Sequence, residues 1–431
     1  MTNEELNVLQ TESKCVQAGY QPKAHEPRIM PIVQSTTYRY DDADELAKVF
    51  DLSALEYIQS MYSRLGNPTV AYLEEKLACL EGGIGAMMTS SGQAAVLVTF
   101  LNLAKTGDHF IALSNLYGGV HTLLGSQIKR LGIEVSFVSP DASLEEMQAL
   151  VRENTKGIYA ETIGNPDVDV LDFEKVSALA KFAGVPLIVD NTFGTPYLCN
   201  PIAHGADIVL HSTTKYIDGH ATSVGGIVID AGTFDWTSEK FPQFSEPDPD
   251  YHGLVYNNYG KAAFLVRLRA SLLRDMGTTF SPFNAFLTNL GLETLHLRMA
   301  RHSENALAVA KFLENHEKIE WVNYPGLESS PSYERTKKYL PKGASGVVSF
   351  GVKGGKEAAK KFTENTKLAN LVVHVGDIRT CLLQPAMTTH RQLSDEELLK
   401  AGVRPEMIRF NVGIEHIDDI IKDLSQALDS L

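Results

Sequence analysis

The stretch DFEKVSALAKFAGVPLIVDNTFGTPYLCNPIAHGADIVLHST, residues 172–213, decides the fold of this chain. It begins with the amphipathic segment DFEKVSALAKFAG, which is typical of a helix. The short apolar runs PLIVDNT and DIVLHST that follow are typical of buried strands. Because strands that alternate with helices form βα units, we predict an α/β fold with a mostly parallel central sheet and helices on both faces.

The same alternation extends over residues 61–265, where HFIALS, EVSFVS, GIYAET and SVGGIVID are further strand-like runs. Beyond this region, long helical segments precede the runs GVVSFGV and MIRFNVG, so residues 266–431 are predicted to form a smaller C-terminal α/β domain. Residues 1–60 lack a repeated strand–helix pattern and contain EPRIMPIVQSTTYRY, which is typical of an extended segment. We predict an N-terminal arm there that contributes to a neighbouring subunit.

Composition restricts the classes of function. The chain has 431 residues, of which 44% are hydrophobic, and a formal net charge of −14 with no block of Lys and Arg. This composition argues against nucleic-acid binding and against a basic membrane-binding face, and it favours a small-molecule substrate. The N-terminus has no apolar signal segment, and the run AAVLVTFLNLA is too short to span a bilayer.

The cysteines bear on redox compartment and metal binding. Cys15, Cys79, Cys199 and Cys381 are far apart and have no CxxC spacing. This pattern favours reduced thiols over a disulfide framework or a zinc site. We expect a cytoplasmic protein without a bound metal.

Polar residues follow three of the apolar runs, where ligands bind in open parallel sheets. After GAMMT, Ser91 and Gly92 precede a helix whose N-terminus would bind an anion such as phosphate. Asp190 ends one strand, and Lys215 follows another with hydroxyl side chains beside it. Alone, the start of the helix is equally well explained as a helix cap, and Asp190 and Lys215 are better explained as a capping Asp and a solvated Lys. Together they match what pyridoxal phosphate needs: a Schiff-base lysine, a carboxylate for the ring nitrogen and anion donors.

The chemistry of each residue agrees with this hypothesis. The amine of Lys215 could bind the cofactor and, once released, move protons as a general base. Asp190 would favour the protonated ring nitrogen, because an opposite charge stabilises the cation. Tyr117, in NLYGG, could stack on the ring, although a core or surface tyrosine explains it equally well.

Over nearly its whole length the sequence resembles the cysteine/methionine-metabolism pyridoxal-phosphate enzymes of fold type I. The stretches that carry the resemblance are MYSRLGNPT, TSSGQAA, YGG, ETIGNPD, VDNTF, HSTTKY and IRFNVGIE. Within the family it is most similar to the O-acetylhomoserine sulfhydrylase branch, through stretches such as EPDPDYHGLVY, GLETLHLRMARHSENA and TTHRQLSDEELLKAGVRPEMIRFNVGIEHIDD.

The resemblance implies a role for each matching residue. Lys215 would be the Schiff-base lysine, Asp190 the partner of the ring nitrogen and Tyr117 the stacked ring. Arg409 would bind the substrate carboxylate with Asn165, which also lies near the phenolic oxygen of the cofactor. Further cofactor contacts are implied for Gly92, Gln93, Thr192, Ser212 and Thr214, and, from the neighbouring subunit, for Tyr62 and Arg64. Tyr62 would also contact the substrate.

A shared active site of this kind implies a homo-oligomer, with a homotetramer built as a dimer of dimers. The implied reaction is γ-replacement on O-acetyl-L-homoserine. Acetate leaves Cγ, and sulfide or methanethiol takes its place, giving L-homocysteine or L-methionine. γ-Lyase activity of the methionine or cystathionine type and cystathionine γ-synthase activity are the alternatives within the family.

The sequence also departs from the branch. Sulfhydrylases of this type usually read close to NVGDAKSLVIHPASTTH, whereas this chain reads HVGDIRTCLLQPAMTTH. The differing positions that bear on donor and thiol preference are His374, Arg379, Thr380, Gln384 and Met387, and Asn411 stands where Ser is usual. The γ-lyases often carry Cys shortly after the stacking Tyr, and this chain has Gly119 there, which argues against the lyase alternative.

Other classes of protein fit less well. A nicotinamide dehydrogenase needs GxGxxG and a nucleoside triphosphatase needs GxxxxGK[ST], and neither EGGIGAMM nor YGKAA supplies that spacing. A non-catalytic binding protein on the same fold remains an alternative. The joint presence of Lys215, Asp190 and Arg409 argues against it, because binding alone does not need all three.

Overall fold

The computed structural model describes residues 2, 5–6, 8–53, 55–389, 391, 396 and 403–431. Part of the stretch TTHRQLSDEELLKAGVRPEMIR, which contributes to the resemblance, lies outside these residues. Within them, no helix combines the length and the apolar character that crossing a bilayer requires. None of the four cysteines forms a disulfide.

Within the described residues, the larger sheet contains seven strands. They are β1 Gly85–Thr89, β2 His109–Leu113, β3 Glu134–Val138, β4 Thr155–Glu161, β5 Leu187–Asp190, β6 Ile208–His211 and β7 Gly226–Asp230. Their spatial order is β1-β7-β6-β5-β4-β2-β3. The neighbours from β3 to β6 run parallel, whereas β7 runs antiparallel to both β6 and β1. The predicted mostly parallel sheet is confirmed.

Helices connect these strands and continue through the rest of the chain. In chain order they are α1 Thr11–Gln17, α2 Ala43–Phe50, α3 Pro68–Glu81, α4 Gly92–Leu103, α5 Gly118–Thr122, α6 Leu144–Gln148, α7 Phe173–Ala183, α8 Thr195–Leu198, α9 Pro242–Ser245, α10 Ala263–Arg267, α11 Arg274–Met276, α12 Pro282–Glu293, α13 Leu295–Glu314, α14 Tyr333–Tyr339, α15 Gly355–Asn365 and α16 Ile417–Asp429.

Side chains of the larger sheet alternate between two cores. On β6, Val209 packs in one core together with apolar residues of α3 and α7. Its neighbours Ile208 and Leu210 pack in the other core with residues of α4 and α10. A strand that is buried on both sides has no polar face, which explains why these strands are continuous apolar runs. The prediction of helices on both faces is confirmed.

The second, smaller sheet belongs to the C-terminal part of the chain. Its strands are β8 Ile319–Asn323, β9 Val347–Val352, β10 Asn370–Leu371, β11 Cys381–Leu383 and β12 Met407–Asn411, in the order β10-β11-β12-β9-β8. Only β10 and β11 pair in parallel, and the other neighbours are antiparallel. Phe350 and Phe410 of this sheet pack against apolar residues of α13, α15 and α16 in a third core.

The N-terminal segment is partly packed on its own chain. Cys15 of α1 is fully buried and belongs to the same core as Leu73 and Leu77 of α3. Residues 18–42 contain no helix or strand other than an isolated bridge between Thr37 and Tyr62. This segment leads the chain past the side of α3 to the region where Tyr62 and Arg64 lie.

Candidate active site

A cavity of about 250 Å³ lies at the carboxyl ends of the parallel strands. Parallel strands bring the residues that follow them to one edge of the sheet, and β12 of the smaller sheet adds Arg409 to the same cavity. The sequence-predicted residues that line it are Gly92, Gln93, Tyr117, Asn165, Asp190, Thr192, Ser212, Thr214, Lys215 and Arg409.

Lys215 follows β6 in a turn in which its N–H donates to the carbonyl of Ser212 at 3.3 Å. The next residue, Tyr216, is fully buried and anchors the turn, because its hydroxyl donates to Oδ1 of Asn411 at 3.3 Å. Burial, together with the positive charge of Arg409, lowers the pKa of Lys215 to about 8. A substantial fraction of this amine is therefore neutral, and able to accept a proton, near neutral pH.

Asp190 ends β5 and is held by its own turn. Its Oδ1 accepts a hydrogen bond from the N–H of Thr192 at 2.9 Å, and the hydroxyl oxygen of Thr192 accepts one from the N–H of Ser212 at 2.8 Å. Burial raises the pKa of Asp190. Among the described residues it forms no ion pair, so a cationic group in the cavity would compensate a carboxylate that the protein leaves uncompensated.

The N-terminus of α4 forms an anion cradle. Ser91 caps the helix by accepting from the N–H of Ala94 at 3.1 Å. The N–H groups of Gly92 and Gln93 belong to the first turn, where a helix offers no internal acceptor. A Cβ on Gly92 would lie 2.7 Å from the Cβ of Ser212, so glycine is what lets the helix start approach the Ser212 hydroxyl.

Two predicted cradle residues already make contacts within the protein. The side chain of Gln93 donates to the carbonyl of Gly119 at 2.8 Å, which leaves its backbone N–H for a ligand. The hydroxyl of Thr214 donates to the carbonyl of Gly225 at 3.2 Å and accepts from the N–H of the same residue at 3.0 Å. Thr214 therefore fixes the return to β7 as well as lining the cavity.

Tyr117 follows β2 and projects a half-exposed ring at the cavity. Its N–H donates to Oε1 of Glu161 at 2.8 Å. A Cβ on Gly119 would lie 2.6 Å from Cε1 of Tyr117 and 3.1 Å from Nε2 of Gln93. The absence of a side chain at position 119 is therefore what allows this arrangement of the ring and the glutamine.

Arg409 lies in the middle of β12 and is almost fully buried. One of its terminal nitrogens donates to Oδ1 of Asn165 at 3.3 Å, and the other donates to the carbonyl of His374 at 3.3 Å. Among the described residues it has no carboxylate partner, so no ion pair accounts for its burial there. A buried guanidinium with two neutral acceptors fits a ligand carboxylate, which it can bind through two parallel hydrogen bonds.

Comparison with known proteins identifies the family. The Cys/Met metabolism PLP-dependent enzyme family matches residues 12–429. The chain belongs to this family. It is 48% identical over 97% of its length to a homocysteine synthase from Schizosaccharomyces pombe, and the match covers 98% of that protein. It is 47% identical over 94% of its length to an O-acetyl-L-homoserine sulfhydrylase from Leptospira meyeri, with 93% of that protein covered.

A solved structure agrees with this assignment. A Campylobacter jejuni protein, described as an O-acetylhomoserine (thiol)-lyase with a pyridoxyl phosphate group on a lysine, superposes with a TM-score of 0.94. It is 37% identical, and the match covers 98% of this chain and 100% of that one. As a member of the Cys/Met metabolism family, the chain uses pyridoxal phosphate, and the predicted fold type I architecture is confirmed.

The cavity fits this cofactor. The anion cradle at α4, the uncompensated carboxylate of Asp190 and the buried amine of Lys215 supply the three kinds of group that pyridoxal phosphate requires. They lie around one cavity that also contains the guanidinium of Arg409, which has no carboxylate partner in the described part of the chain.

Tyr62 and Arg64 do not line the cavity of their own chain. The guanidinium of Arg64 lies 5.1 Å from the centre of the Tyr62 ring, and that ring is 39% exposed. An exposed pair outside the cavity is what a contribution to a neighbouring subunit needs, and that contribution remains a prediction.

Sequence reasoning missed the roles of Glu161 and His374 in lining the cavity. Glu161 ends β4 and is the register neighbour of Asp190, and burial together with Asp190 raises its pKa well above the usual range. The strand-end rule that located Asp190 could also have located Glu161. His374 had been noted as a departure from the sulfhydrylase pattern, without a role.

Most of the other departures from the sulfhydrylase pattern lie away from the cavity. The Arg379 side chain pairs with Asp377 at 2.9 Å, and the Thr380 hydroxyl donates to Glu415 at 2.8 Å. The remaining two are Gln384, which donates to backbone carbonyls, and Met387, which lies in a short turn. His374, in contrast, lines the cavity, and Asn411 holds the loop that carries His374. Of the departures, these two are therefore the ones placed to affect the choice of acyl donor and thiol.

Proposed function

We propose that this chain catalyses γ-replacement on O-acetyl-L-homoserine with sulfide, giving L-homocysteine and acetate. The observation that carries the proposal is the agreement between the sequence similarity to known enzymes and the residues that line the cavity. Relatives described as homocysteine synthase and O-acetyl-L-homoserine sulfhydrylase match almost the full chain at 47–48% identity. The cavity, in turn, offers a buried amine, a carboxylate and a guanidinium suited to a pyridoxal-phosphate reaction on an amino acid.

The cofactor would be held by residues from four strand ends, those of β1, β2, β5 and β6. The N–H groups of Gly92 and Gln93 and the hydroxyl of Ser212 would bind the phosphate, and Thr214 would join them if its hydroxyl exchanges the bond to the Gly225 carbonyl for one to the phosphate. Asp190, positioned by Thr192, would bind the ring nitrogen, and Tyr117 would stack on the ring. When bound, pyridoxal phosphate supplies the electron sink that makes protons on the substrate carbons acidic. Asp190 strengthens that sink by stabilising the ring-nitrogen cation.

Lys215 would move the protons. Its neutral amine takes the proton from Cα of the substrate, and the resulting ammonium is available to return a proton at a later step. The lowered pKa, about 8, suits both directions, because neither the neutral nor the charged form is strongly favoured near neutral pH.

Arg409 would orient the substrate. Two N–H groups of the guanidinium bind the α-carboxylate, and the amide of Asn165 adds a further polar contact. Holding the carboxylate fixes which bond to Cα faces Lys215, and fixed orientation accounts for a large part of enzymatic rate enhancement. The net reaction breaks the Cγ–O bond to acetate and forms a Cγ–S bond.

Methanethiol as the acceptor, which would give L-methionine, and a γ-lyase reaction are the competing candidates. Gly119 favours replacement over the lyase reaction, because it permits the close approach of Tyr117 and Gln93 that a cysteine at this position would disturb. Cystathionine γ-synthase activity is a further alternative, for which the described residues supply no specific contact.

The assembly follows from Tyr62 and Arg64. We propose that they complete the phosphate site of a neighbouring subunit and that Tyr62 also contacts its substrate, in a homodimer that pairs into a homotetramer. In this arrangement residues 1–60 form the arm, residues 61–265 the cofactor domain and residues 266–431 the C-terminal domain. A cytoplasmic location is part of the proposal, and the spacing of the cysteines, which suits reduced thiols, supports it.

Product partitioning tests the proposed reaction. O-acetyl- and O-succinylhomoserine are each supplied with sulfide or methanethiol, and the thiol product is compared with 2-oxobutanoate and ammonia. We expect homocysteine from O-acetylhomoserine and sulfide to form fastest. Dominant oxoacid and ammonia at saturating sulfide would contradict the proposal and identify a γ-lyase.

Paired variants at Gly119 test whether the missing side chain at this position favours replacement over the lyase reaction. Gly119→Ala adds only the Cβ, whereas Gly119→Cys adds the Cβ and a thiol. Because the Cβ alone would lie 2.6 Å from the Tyr117 ring, both variants are expected to raise the share of oxoacid. An unchanged product ratio in both would mean that position 119 does not select the reaction.

A further inference from the structure

His374 lies on the loop between β10 and β11, and this loop packs directly on the backbone of Lys215. The closest approach is at Gly376, which has a φ of +80°. A Cβ at this position would lie 2.5 Å from the backbone nitrogen of Tyr216 and 2.8 Å from the carbonyl carbon of Lys215. Glycine therefore permits both the turn and the contact, and it fixes how closely His374 approaches the lysine.

Three further hydrogen bonds connect this loop, Asn411 and the residues around Lys215. Oδ1 of Asn411 accepts from the N–H of Gly376 at 2.8 Å and from the hydroxyl of Tyr216 at 3.3 Å. The N–H of Ile378 donates to the carbonyl of Gly219 at 3.0 Å. Asn411, which stands where serine is usual, thus connects the loop, the lysine turn and the strand that carries Arg409.

His374 offers one acceptor to each of the two cations in the cavity. Its Nδ1 lies 3.5 Å from Nζ of Lys215, and its carbonyl oxygen accepts from Arg409 at 3.3 Å. The first distance is at the outer limit of a hydrogen bond, and such contacts commonly tighten when a substrate is bound. An ammonium can only donate, so Nδ1 is the acceptor and the ring hydrogen is on Nε2.

The surroundings keep the imidazole neutral. Burial, followed by the positive charge of Lys215, lowers the pKa of His374 to about 4. Asp377 and Asp218 act in the opposite direction, and Arg409 acts in the same direction as Lys215. On the lysine side, the neighbouring ionisable groups are Arg409 and the thiol of Cys381. Below a pH of about 8 the proton of this pair therefore resides on Lys215, and the neutral imidazole can accept a hydrogen bond from the amine.

We propose that His374 is a positioning residue of this active site, which holds the released amine of Lys215 through Nδ1 while its carbonyl holds Arg409. His374 would then fix the position of the Lys215 amine, which moves protons, relative to the Arg409 guanidinium, which binds the substrate. The inference rests on the roles proposed above for Lys215 and Arg409.

Asparagine and leucine at position 374 form a matched pair of variants. The two side chains have nearly the same size and shape, but only asparagine carries an oxygen close to where Nδ1 of histidine lies. Neither substitution removes the backbone carbonyl that accepts from Arg409. A difference between His374→Leu and His374→Asn therefore reports the loss of the side-chain acceptor, because the side-chain volume and the contact with Arg409 are the same in both variants.

The first measurement is the pKa of the Lys215 amine, read without turnover. The full-length protein is freed of cofactor and its amines are labelled chemically at a series of pH values, with Lys215 followed by mass spectrometry. A neutral acceptor favours the charged amine, so its loss lowers the pKa. We expect the value in His374→Leu to fall below that in His374→Asn by about one pH unit.

The second measurement is exchange of the substrate α-proton in deuterated water by the holoenzyme. At the pH plateau, the limiting rate of His374→Leu is expected to be about tenfold below that of His374→Asn, because the base is no longer held in place. The half-saturating amino-acid concentration should agree between the variants within about twofold, since the Arg409 contact is retained.

Equal pKa values and equal limiting rates in the two variants would overturn the inference, whatever their relation to the wild type. Failure of the proposed function has a different signature. A wild-type protein that exchanges the α-proton but forms no homocysteine would contradict the assigned reaction, and the comparison of the two variants would still hold.

Discussion

Lys215→Ala is the most direct perturbation of the proposed site. Burial and Arg409 lower the pKa of this lysine from 10.5 to about 8. At pH 7 about one-tenth of such amines are neutral, compared with about 0.03% at the ordinary value. The folded protein therefore raises the fraction of active base about 300-fold, and a positioned base typically contributes a factor of about 10² to 10⁴ to the rate. Loss of the amine should forfeit that contribution.

The assay is exchange of the α-proton of a saturating amino acid without a leaving group, followed by NMR in deuterated water. Because the neutral amine is the active form, the wild-type rate should rise as pH passes through about 8. Lys215→Ala should lower the rate by at least about a hundredfold, and a small added amine should restore part of it. Lys215→Arg is the matched control, since a guanidinium keeps the charge but does not lose a proton.

Two results would refute this reasoning. One is a Lys215→Ala rate within about tenfold of the wild type, because a positioned base is expected to contribute more than that. The other is a wild-type midpoint close to 10.5, the ordinary value for lysine, which would mean that burial and Arg409 do not act on this amine as the structure indicates.

Three further predictions concern the residues around Lys215. Asp190→Asn should retain cofactor but slow α-proton exchange by about a hundredfold, because the ring nitrogen loses its anionic partner; an unchanged exchange rate would contradict that role. Mixing Arg64→Ala with Lys215→Ala should restore activity, since a hybrid dimer contains one intact shared site; no recovery despite measured subunit exchange would place Arg64 in its own chain's site. Arg409→Lys should lower kcat/KM for replacement and for oxoacid formation by the same factor, about a hundredfold, and unequal losses would show that Arg409 does more than hold the carboxylate.

The sequence was sufficient for the part of the site that the parallel sheet builds. β1, β5 and β6 are largely buried and read as short apolar runs, so their ends are visible where polar residues begin. Asp190, Lys215 and the start of α4 were located in this way, and parallel pairing then explains why they meet. Local sequence decides these positions, because the strand and the residues after it are contiguous.

The remainder of the site depends on contacts between distant segments, which no local pattern encodes. Arg409 lies mid-strand in the smaller sheet and was located only through resemblance to the family. His374 reaches Lys215 because Gly376 allows one loop to pack on the lysine backbone, a contact across about 160 residues of chain. Tyr62 and Arg64 act, as proposed, in a second copy of the chain, so even a complete single-chain fold leaves their role open.

The charged residues of the cavity indicate which chemical groups its ligands must carry. Arg409 is a buried cation and Lys215 a partly buried one, both without a carboxylate partner among the described residues, and Asp190 is a partly buried carboxylate that forms no ion pair there. A fold selected for stability alone would not retain such groups, because an uncompensated buried charge is destabilising. Each becomes compensated if the ligand supplies the opposite group: a cationic ring nitrogen for Asp190, a carboxylate for Arg409 and a phosphate for the start of α4. Pyridoxal phosphate and an amino acid together carry these groups. The charged residues that have no ion-pair partner among the described residues therefore match the charges of the cofactor and the substrate.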